Sequence, residues 1–220
     1  MNSLKRMLKR TLLAPLVVER AGGGSNRVAL TFDDGPDPSH TADLLKVFRR
    51  HNGRGTFFLV GERVDEYPDL VDRIVAEGHE IGNHSWSHAE FDELDYAGLR
   101  EEIGSADMAL AAARWSAGFN GLFRPPKGSV TCSSLLYSLL NRRRHVLWSI
   151  DPRDYRAGSS AEILENIHSH RYRGGDIILL HDTNGYTVPA VDGLLEDMAA
   201  RGLEAVTVSE LLGGSPLQAT

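Results

Sequence analysis

Disulfide chemistry is excluded within this chain, because Cys132 is its only cysteine. Long hydrophobic segments are also missing. The apolar segment LLAPLVV at residues 12–18 is far shorter than the roughly 20 residues that a membrane-spanning helix needs. No neighbouring motif marks Cys132 as a nucleophile, so we interpret it as a small structural residue. These absences leave an ordinary globular domain, which 220 residues can stabilise with a hydrophobic core alone.

Positive charge is concentrated at the start of the chain. The net charge is −6, but residues 1–10 carry +4 and no acid, which leaves −10 on the rest. The basic residues of this leader are Lys5, Arg6, Lys9 and Arg10. An acidic body argues against nucleic acid as the main partner.

The basic start allows three interpretations. A secretory signal peptide needs a small-residue cleavage pattern, but ERAGGG follows the apolar segment at residues 19–24. A basic, partly apolar segment can also rest on an anionic membrane, which would give residues 1–18 a peripheral contact. We favour a flexible leader, and we expect the protein to be cytoplasmic or peripheral at the membrane rather than exported.

Short apolar runs alternate with longer amphipathic segments after the stretch AGGGS at residues 21–25. The apolar runs predict seven buried parallel strands: RVALTF, GTFFLV, HEIGN, GLFR, HVLWSI, DIILLH and LEAVTV. The amphipathic segments predict helices around residues 40–51, 62–76, 95–115, 132–143, 160–170 and 189–201. This alternation predicts an α/β fold, either an open sheet or a closed barrel. Both architectures carry their functional residues at the carboxyl ends of the strands.

The first predicted strand ends in two adjacent carboxylates, Asp33 and Asp34. Like charges at the end of a buried strand repel each other unless something compensates for them. Because neighbouring side chains of a strand point to opposite faces, both can serve one site only if the strand bends there. Gly35 and Pro36 supply a turn. Taken alone, either aspartate could equally be a turn or helix cap.

Two histidines follow the third strand in NHSWSH, residues 83–88. Their spacing of four predicts that His84 and His88 share one face of a helical turn, within reach of a single ion. Two imidazoles and one carboxylate suit zinc or a similar first-row ion, with open positions for water and substrate. One aspartate would then balance the metal while the other acts as a general base. His181, on another strand, is available as a general acid.

The ordered segments TFDDG, HSWSH, RPPKG, DPRDY and LLHD resemble the polysaccharide deacetylase family, carbohydrate esterase family 4, which includes the nodulation-type chitooligosaccharide deacetylases. The resemblance covers about residues 27–212, which leaves a leader at 1–26 and a flexible tail at 213–220. It implies a distorted (β/α) barrel of about seven parallel strands. It also implies a divalent metal, with zinc favoured over cobalt or nickel, and hydrolysis of N-acetyl or O-acetyl groups on an oligo- or polysaccharide.

The resemblance also implies roles for individual residues. The metal ligands would be Asp34, His84 and His88. Asp33 would be the general base, and Arg124 would hold it ionised and oriented. His181 would be the general acid, and Asp154 would hold its imidazole. Leu179 would line the pocket for the acetyl methyl group.

Two positions depart from the family pattern. Lys127 stands where RPPKG usually carries an aromatic residue, but the oxyanion donor implied there is the backbone N–H, which the change preserves. The Lys127 side chain would either favour an anionic saccharide or simply point into solvent. Tyr155 stands where the family usually has tryptophan, so the wall that stacks on a sugar face is smaller.

Other functions stay open at this point. An Fe(II) oxygenase also uses two histidines and one carboxylate, but generally as a His-x-Asp pair on an all-β scaffold. A degenerate member of the same fold that only binds glycan is disfavoured, because the base, the ligands and the acid are all present. Among deacylases, we expect a short or lipid-linked saccharide rather than an insoluble polymer as the substrate.

Overall fold

The computed structural model describes residues 16–22, 24–112 and 119–214. The strands are β1 (Val17–Val18), β2 (Arg27–Gly35), β3 (Thr56–Leu59), β4 (Glu80–Asn83), β5 (Phe119–Phe123), β6 (Arg144–Val146), β7 (Ile177–His181) and β8 (Glu204–Val206). The helices are α1 (Thr41–Arg50), α2 (Gly61–Glu66), α3 (Pro68–Ala76), α4 (Tyr96–Ala112), α5 (Cys132–Leu140), α6 (Ser160–Ser169), α7 (Thr187–Ala200) and α8 (Val208–Leu211). Short 3₁₀ turns lie at Pro126–Gly128 and Asp154–Arg156.

All paired strands run parallel, in the order β1-β6-β5-β4-β3-β2-β7, and β8 pairs with the start of β2. The chain that follows β6 reaches the other side of the sheet, where Ile150 forms a bridge with Ile178 of β7. The sheet therefore curves towards a barrel, although no continuous ladder closes it within the described residues. The predicted α/β class and the parallel sheet of about seven strands are confirmed.

Two apolar layers follow from the alternation of side chains along the strands. Leu30 and Phe32 of β2 belong to the layer between the sheet and the helices. Ala29 of β2 belongs to an inner layer with Phe58 of β3 and Ile177 of β7. Because residues at odd positions of β2 face inward, Thr31 and Asp33 continue this inner row towards the carboxyl end of the barrel.

Several boundaries differ from the sequence predictions. The single helix predicted over residues 62–76 is two helices, because Pro68 lacks the N–H that would continue α2 and instead begins α3. The strand predicted over residues 145–150 is shorter and begins one residue earlier, as Arg144–Val146. The short elements β1 and α8 were not predicted, and β1 lies inside the predicted leader.

The leader and tail extend outside the described residues, which exclude 1–15 and 215–220. The limits of the leader, domain and tail therefore stay predictions. Among the described helices, none is long and apolar enough to cross a membrane.

Candidate active site

A bulge in β2 turns two consecutive aspartates towards one site. The register between β2 and β3 shifts between Asp33 and Gly35, and Asp34 adopts a left-handed backbone conformation with φ of 70°. The bend that the sequence requires is therefore present. A Cβ atom at Gly35 would lie 2.3 Å from Oδ2 of Asp182, so the bulge accepts no side chain at this position.

Asp182 fills the space below this bulge. Its side chain is fully buried and accepts a hydrogen bond from Oγ1 of Thr41 at 2.5 Å. Burial raises the pKa of Asp182 to about 7. Asp182 lies within the LLHD segment, but no sequence pattern indicated a role for it.

Asp33 is buried and paired with an equally buried guanidinium. Nη1 of Arg124 donates to Oδ1 of Asp33 at 2.6 Å and to Oγ1 of Thr31 at 2.9 Å. Two further hydrogen bonds run from Arg124 to the carbonyl groups of Val146 and Leu147. The Arg124 guanidinium also lies 4.1 Å from the centre of the Phe58 ring. These contacts fix the orientation of the Arg124 guanidinium, which in turn fixes the orientation of the Asp33 carboxylate.

Asp34 lies between two imidazoles. Its Oδ1 atom is 3.4 Å from Nε2 of His84 and 3.3 Å from Nε2 of His88. Potential ligand atoms from these three residues all lie within 4.8 Å of one another. Oδ1 of Asp34 is buried and has no hydrogen-bond partner among the described residues. A buried carboxylate oxygen that faces two ring nitrogens fits a divalent cation with nitrogen and oxygen ligands.

The tautomer of His84 is set by the backbone. Its Nδ1 atom donates to the carbonyl oxygen of Arg124 at 2.8 Å, which leaves Nε2 directed at the carboxylates. Burial alone would lower the pKa of His84, but the charges of Asp33 and Asp34 raise it above its ordinary value. Burial likewise opposes ionisation of Asp34, yet the His84 ring holds the pKa of that carboxyl well below its usual range.

The segment from His84 to His88 is not the helical turn that its spacing predicts. It is an irregular loop in which Ser85 and His88 have φ values of 68° and 61°. The carboxylate of Glu102 on α4 accepts hydrogen bonds from the backbone N–H groups of Trp86 and Ser87, each at 3.0 Å. The helical turn predicted from the i,i+4 spacing is therefore wrong. The two imidazoles nevertheless lie close together, with ring centroids 5.1 Å apart, and α4 holds the loop between them.

His181 at the end of β7 is held by a buried carboxylate. Its Nδ1 atom donates to Oδ1 of Asp154 at 2.8 Å, and its backbone N–H donates to Oδ2 at 2.7 Å. Thr187 of α7 donates to the same Oδ2 at 2.9 Å. Burial alone would lower the pKa of His181, but the hydrogen bond and charge of Asp154 raise it to about 9. The imidazole is therefore protonated at neutral pH. No sequence pattern indicated this contact of Thr187.

The structure also locates the three residues assigned to substrate. Tyr155 is exposed, and its ring packs edge-on against the His181 ring with centroids 5.3 Å apart. Leu179 is buried on β7, two residues before His181 and hence on the same face of the strand. Lys127 is exposed in the 3₁₀ turn after Arg124, and its ammonium is ion-paired with Glu90.

Comparisons with known proteins identify relatives that share one family model. Residues 20–140 match the family model described as "Polysaccharide deacetylase". A peptidoglycan-N-acetylglucosamine deacetylase of Bacillus cereus is 37% identical over 190 residues, which cover 84% of this chain and 87% of that protein. A chitooligosaccharide deacetylase of Rhizobium leguminosarum bv. trifolii is 34% identical over 176 residues, which cover 80% of each protein.

Solved structures show the same fold. A peptidoglycan N-acetylglucosamine deacetylase in complex with a benzamide ligand superposes with a TM-score of 0.86 at 30% identity, over 94% of this chain and 98% of that one. A carbohydrate esterase family 4 pseudoenzyme from Bacillus anthracis superposes with a TM-score of 0.83 over 90% of this chain and 69% of that one. At 23% identity, the second likeness concerns the fold alone.

Proposed function

The chain belongs to the polysaccharide deacetylase family, and from this premise we propose that it hydrolyses N-acetyl groups of an N-acetylglucosamine-containing saccharide. The observation that carries the proposal is the division between the adjacent aspartates. Asp33 is paired with Arg124, whereas Oδ1 of Asp34 faces His84 and His88. The Asp33 carboxylate is thus available for proton transfer, and the Asp34 carboxylate is available to bind a cation.

Asp33 is the general base in this proposal. The bonds from Arg124 and the burial of both groups hold the carboxylate in one orientation. The Arg124 guanidinium lies 2.6 Å from Oδ1 of Asp33 and so orients the carboxylate to accept a proton from the attacking water. Asp33 and Asp34 are adjacent and have the same side chain, but their different partners give them different roles.

His181 is the general acid. An amine leaves poorly as an anion, so a proton must reach the amide nitrogen as the carbon–nitrogen bond breaks. His181 carries that proton at neutral pH, because Asp154 raises its pKa to about 9. Its hydrogen bond from Nδ1 to Asp154 leaves Nε2 as the ring nitrogen that donates to the leaving group.

Asp34, His84 and His88 would hold the divalent ion, and we propose zinc. Oδ1 of Asp34 is buried and has no hydrogen-bond partner among the described residues. Nδ1 of His84 donates to the carbonyl of Arg124, which leaves Nε2 available as a ligand. Both atoms fit such an ion. When bound, the ion would polarise the acetyl carbonyl and lower the pKa of a water molecule. Cobalt or nickel would suit the same ligands.

The 3₁₀ turn after Arg124 would supply a backbone hydrogen bond to the oxyanion that forms from the acetyl carbonyl when water attacks it. Its hydrogen bonds use the N–H groups of Gly128 and Ser129, and Lys127 adopts a left-handed conformation with φ of 54°. We assign the Lys127 N–H to the oxyanion and its side chain to the rim of the groove. Tyr155, beside His181, would stack on a sugar face, and Leu179 would contact the acetyl methyl group.

Acetate release from a panel of saccharides tests the proposal. The panel would hold N-acetylglucosamine oligomers, peptidoglycan fragments, acetylated xylan and an anionic N-acetylated saccharide, each with chelated protein and again after addition of zinc or cobalt. We expect metal-dependent release from the N-acetylglucosamine substrates. Release from xylan alone would assign an O-deacetylase.

A pseudoenzyme is the outcome that would contradict the proposal. It would appear as saturable binding of the same saccharides by metal-loaded protein without release of acetate. Oxygen-dependent and keto-acid-dependent turnover would instead assign an oxygenase.

A further inference from the structure

The 3₁₀ turn Asp154–Arg156 places three successive side chains in different surroundings. Asp154 is buried and bonded to His181, Tyr155 is 49% exposed, and Arg156 is exposed. The Tyr155 ring contacts both neighbours of interest: its centre is 5.3 Å from the His181 ring centre and 5.3 Å from Cζ of Arg156. A saccharide that stacks on Tyr155 would therefore also meet the Arg156 guanidinium.

Hydrogen bonds fix the backbone of this turn relative to His181. Asn184, three residues after His181, donates to the carbonyl oxygen of Asp154 at 2.5 Å. The N–H of Tyr155 donates at 3.0 Å to Oδ1 of Asp154, which also accepts from the His181 ring. Because the turn cannot shift without breaking these bonds, Arg156 stays beside the proposed general acid.

Arg156 has no acidic partner within the ranges that the structure describes, and its guanidinium contacts the Tyr155 ring instead. The two acids nearest to it in the chain are engaged elsewhere. Oδ1 of Asp151 accepts from the N–H of Arg153 at 2.8 Å, and Asp154 holds the proposed general acid. The charge of Arg156 is therefore available to a ligand.

Two other cationic side chains near the site are already neutralised. Arg124 is bonded to Asp33, and Lys127 is ion-paired with Glu90. An anionic ligand that approached either of them would have to compete with a carboxylate of the protein. At Arg156 it would meet no such competitor, so the gain in Coulomb energy is larger there.

We propose that Arg156 binds an anionic group, a carboxylate or a phosphate, on the saccharide that contacts Tyr155. The planar guanidinium can donate two parallel hydrogen bonds to either group. The inference rests on the proposed function, because it assigns to the same active site a preference for acidic over neutral N-acetylated saccharides. Arg156 would determine specificity, and it would take no part in the proton transfers of Asp33 and His181.

Titration calorimetry on the full chain, with zinc in the buffer, tests this preference without turnover. The ligands are glucosamine oligomers of equal length that carry N-methylsulfonyl groups in place of N-acetyl groups, so that they have no acetyl group to lose. One oligomer is neutral, one carries a carboxymethyl ether and one carries a phosphate ester. We expect at least one anionic oligomer to bind about tenfold more tightly than the neutral one. Added salt should reduce this difference. The more favoured anion identifies the group as carboxylate or phosphate.

Substitutions of Arg156 connect the preference to its guanidinium. Arg156→Gln should abolish the preference, and Arg156→Lys should retain part of it, because it keeps the charge and loses the planar fork. Arg171→Gln is the matched control. Arg171 is also exposed and without an acidic partner in the described part of the chain, but it precedes β7 and so lies at the amino end of that strand. With N-acetylated oligomers, Arg156→Gln should raise KM for the anionic substrate more than it lowers kcat.

Equal affinities of the parent for neutral and anionic oligomers would overturn the inference. A preference that Arg156→Gln retains would also overturn it, and if Lys127→Ala then removes that preference, the anion binds at the turn after Arg124. Equal losses for all three oligomers in Arg156→Gln would show that Arg156 only supports the Tyr155 ring. Because the titration measures binding, the preference can hold without release of acetate, and acetate can be released without the preference.

Discussion

The Nδ1 atom of His84 donates to the backbone carbonyl of Arg124 at 2.8 Å, while the side chain of the same arginine holds Asp33. One residue at the end of β5 thus orients both a proposed metal ligand and the proposed base. This linkage requires only that β4 and β5 be neighbours in the sheet. It also means that the two roles must be separated by substitutions at Asp33 and Asp34 rather than at Arg124.

Substitution of the adjacent aspartates should separate base from ligand. Asp33→Asn should lower kcat by about 10²-fold to 10⁴-fold and retain the metal, because it removes proton transfer and leaves the ligands. Asp34→Asn should lower metal affinity and lose activity that excess zinc partly restores. Acetate release and metal content, measured on the same preparations, check both. Loss of metal from Asp33→Asn would show that this carboxylate is a ligand.

The alkaline limb of activity should depend on Asp154. His181 donates only when protonated, so kcat/KM should fall as the pH rises through about 9, the raised pKa of this imidazole. Asp154→Asn removes the charge that raises this pKa and leaves the burial that lowers it, so the limb should move to lower pH. Asp151→Asn, in the same loop, is the control. An unmoved limb would exclude His181 as the titrating acid.

The same ionisation should affect stability. The folded pKa of His181 is raised above its ordinary value of 6.5, so its contribution is fully present below about pH 6.5 and lost as the pH rises through about 9. Thermal unfolding of the parent and of Asp154→Asn across this range checks the sign. The difference between their free energies of unfolding should shrink as the solution becomes alkaline. A difference that grows with pH would contradict the assignment.

Glu102 should control metal affinity without touching the metal. Its carboxylate accepts hydrogen bonds from Trp86 and Ser87 between the two histidines. Glu102→Gln replaces one acceptor oxygen with a donor and should weaken metal binding by about 10-fold to 100-fold. Glu101→Gln removes the same charge from an exposed neighbour on α4 and should bind metal as the parent does. Equal metal affinities in competition with a chelator would show that the loop needs no support from α4.

Lys127 should influence the choice between neutral and anionic saccharides. Its ammonium is paired with Glu90, so Glu90→Gln should free the charge and raise kcat/KM for an anionic substrate relative to a neutral one. Lys127→Ala should shift the ratio in the opposite direction, because it removes the attraction. The two ratios are measured with matched saccharides that differ by one carboxylate. If both variants keep the parental ratio, the side chain lies outside the substrate groove.

The sequence predicted most strands and helices of this fold because each of them leaves a local pattern in the chain. Apolar runs such as DIILLH identify buried strands, and polar segments after them identify the carboxyl end of the sheet. The same reasoning recognised that DDGP must bend. Its failures have a shared cause. The irregular loop from His84 to His88 depends on Glu102, and the orientation of Asp154 depends on Thr187, which is 33 residues away. Such partners leave no periodic signal in the chain.

Helix α5 illustrates a second kind of limit. The amphipathic pattern correctly predicted a helix around residues 132–143, but it did not show which face is buried: Leu136, Leu139 and Leu140 are exposed. Ser134, Tyr137 and Ser138 are buried instead, and Oγ of Ser134 lies 3.2 Å from Nε2 of His145 on β6. Likewise, β1 has only two residues, Val17–Val18, too few to show the pattern of a strand. Its pairing with β6 is a tertiary contact that no local rule predicts.

The bulge at Asp34 has a consequence for recombination between related genes. Because the proposed base and the proposed ligand are consecutive residues, a crossover cannot inherit one from one parent and one from the other. The loops that carry Lys127 and Tyr155 lie far from this pair in the chain, but they also carry Arg124 and Asp154, which orient the proposed base and the proposed acid. Chimaeras that exchange these loops should therefore differ in the saccharide that they accept, and they should stay active only where the incoming loop supplies the same arginine or aspartate.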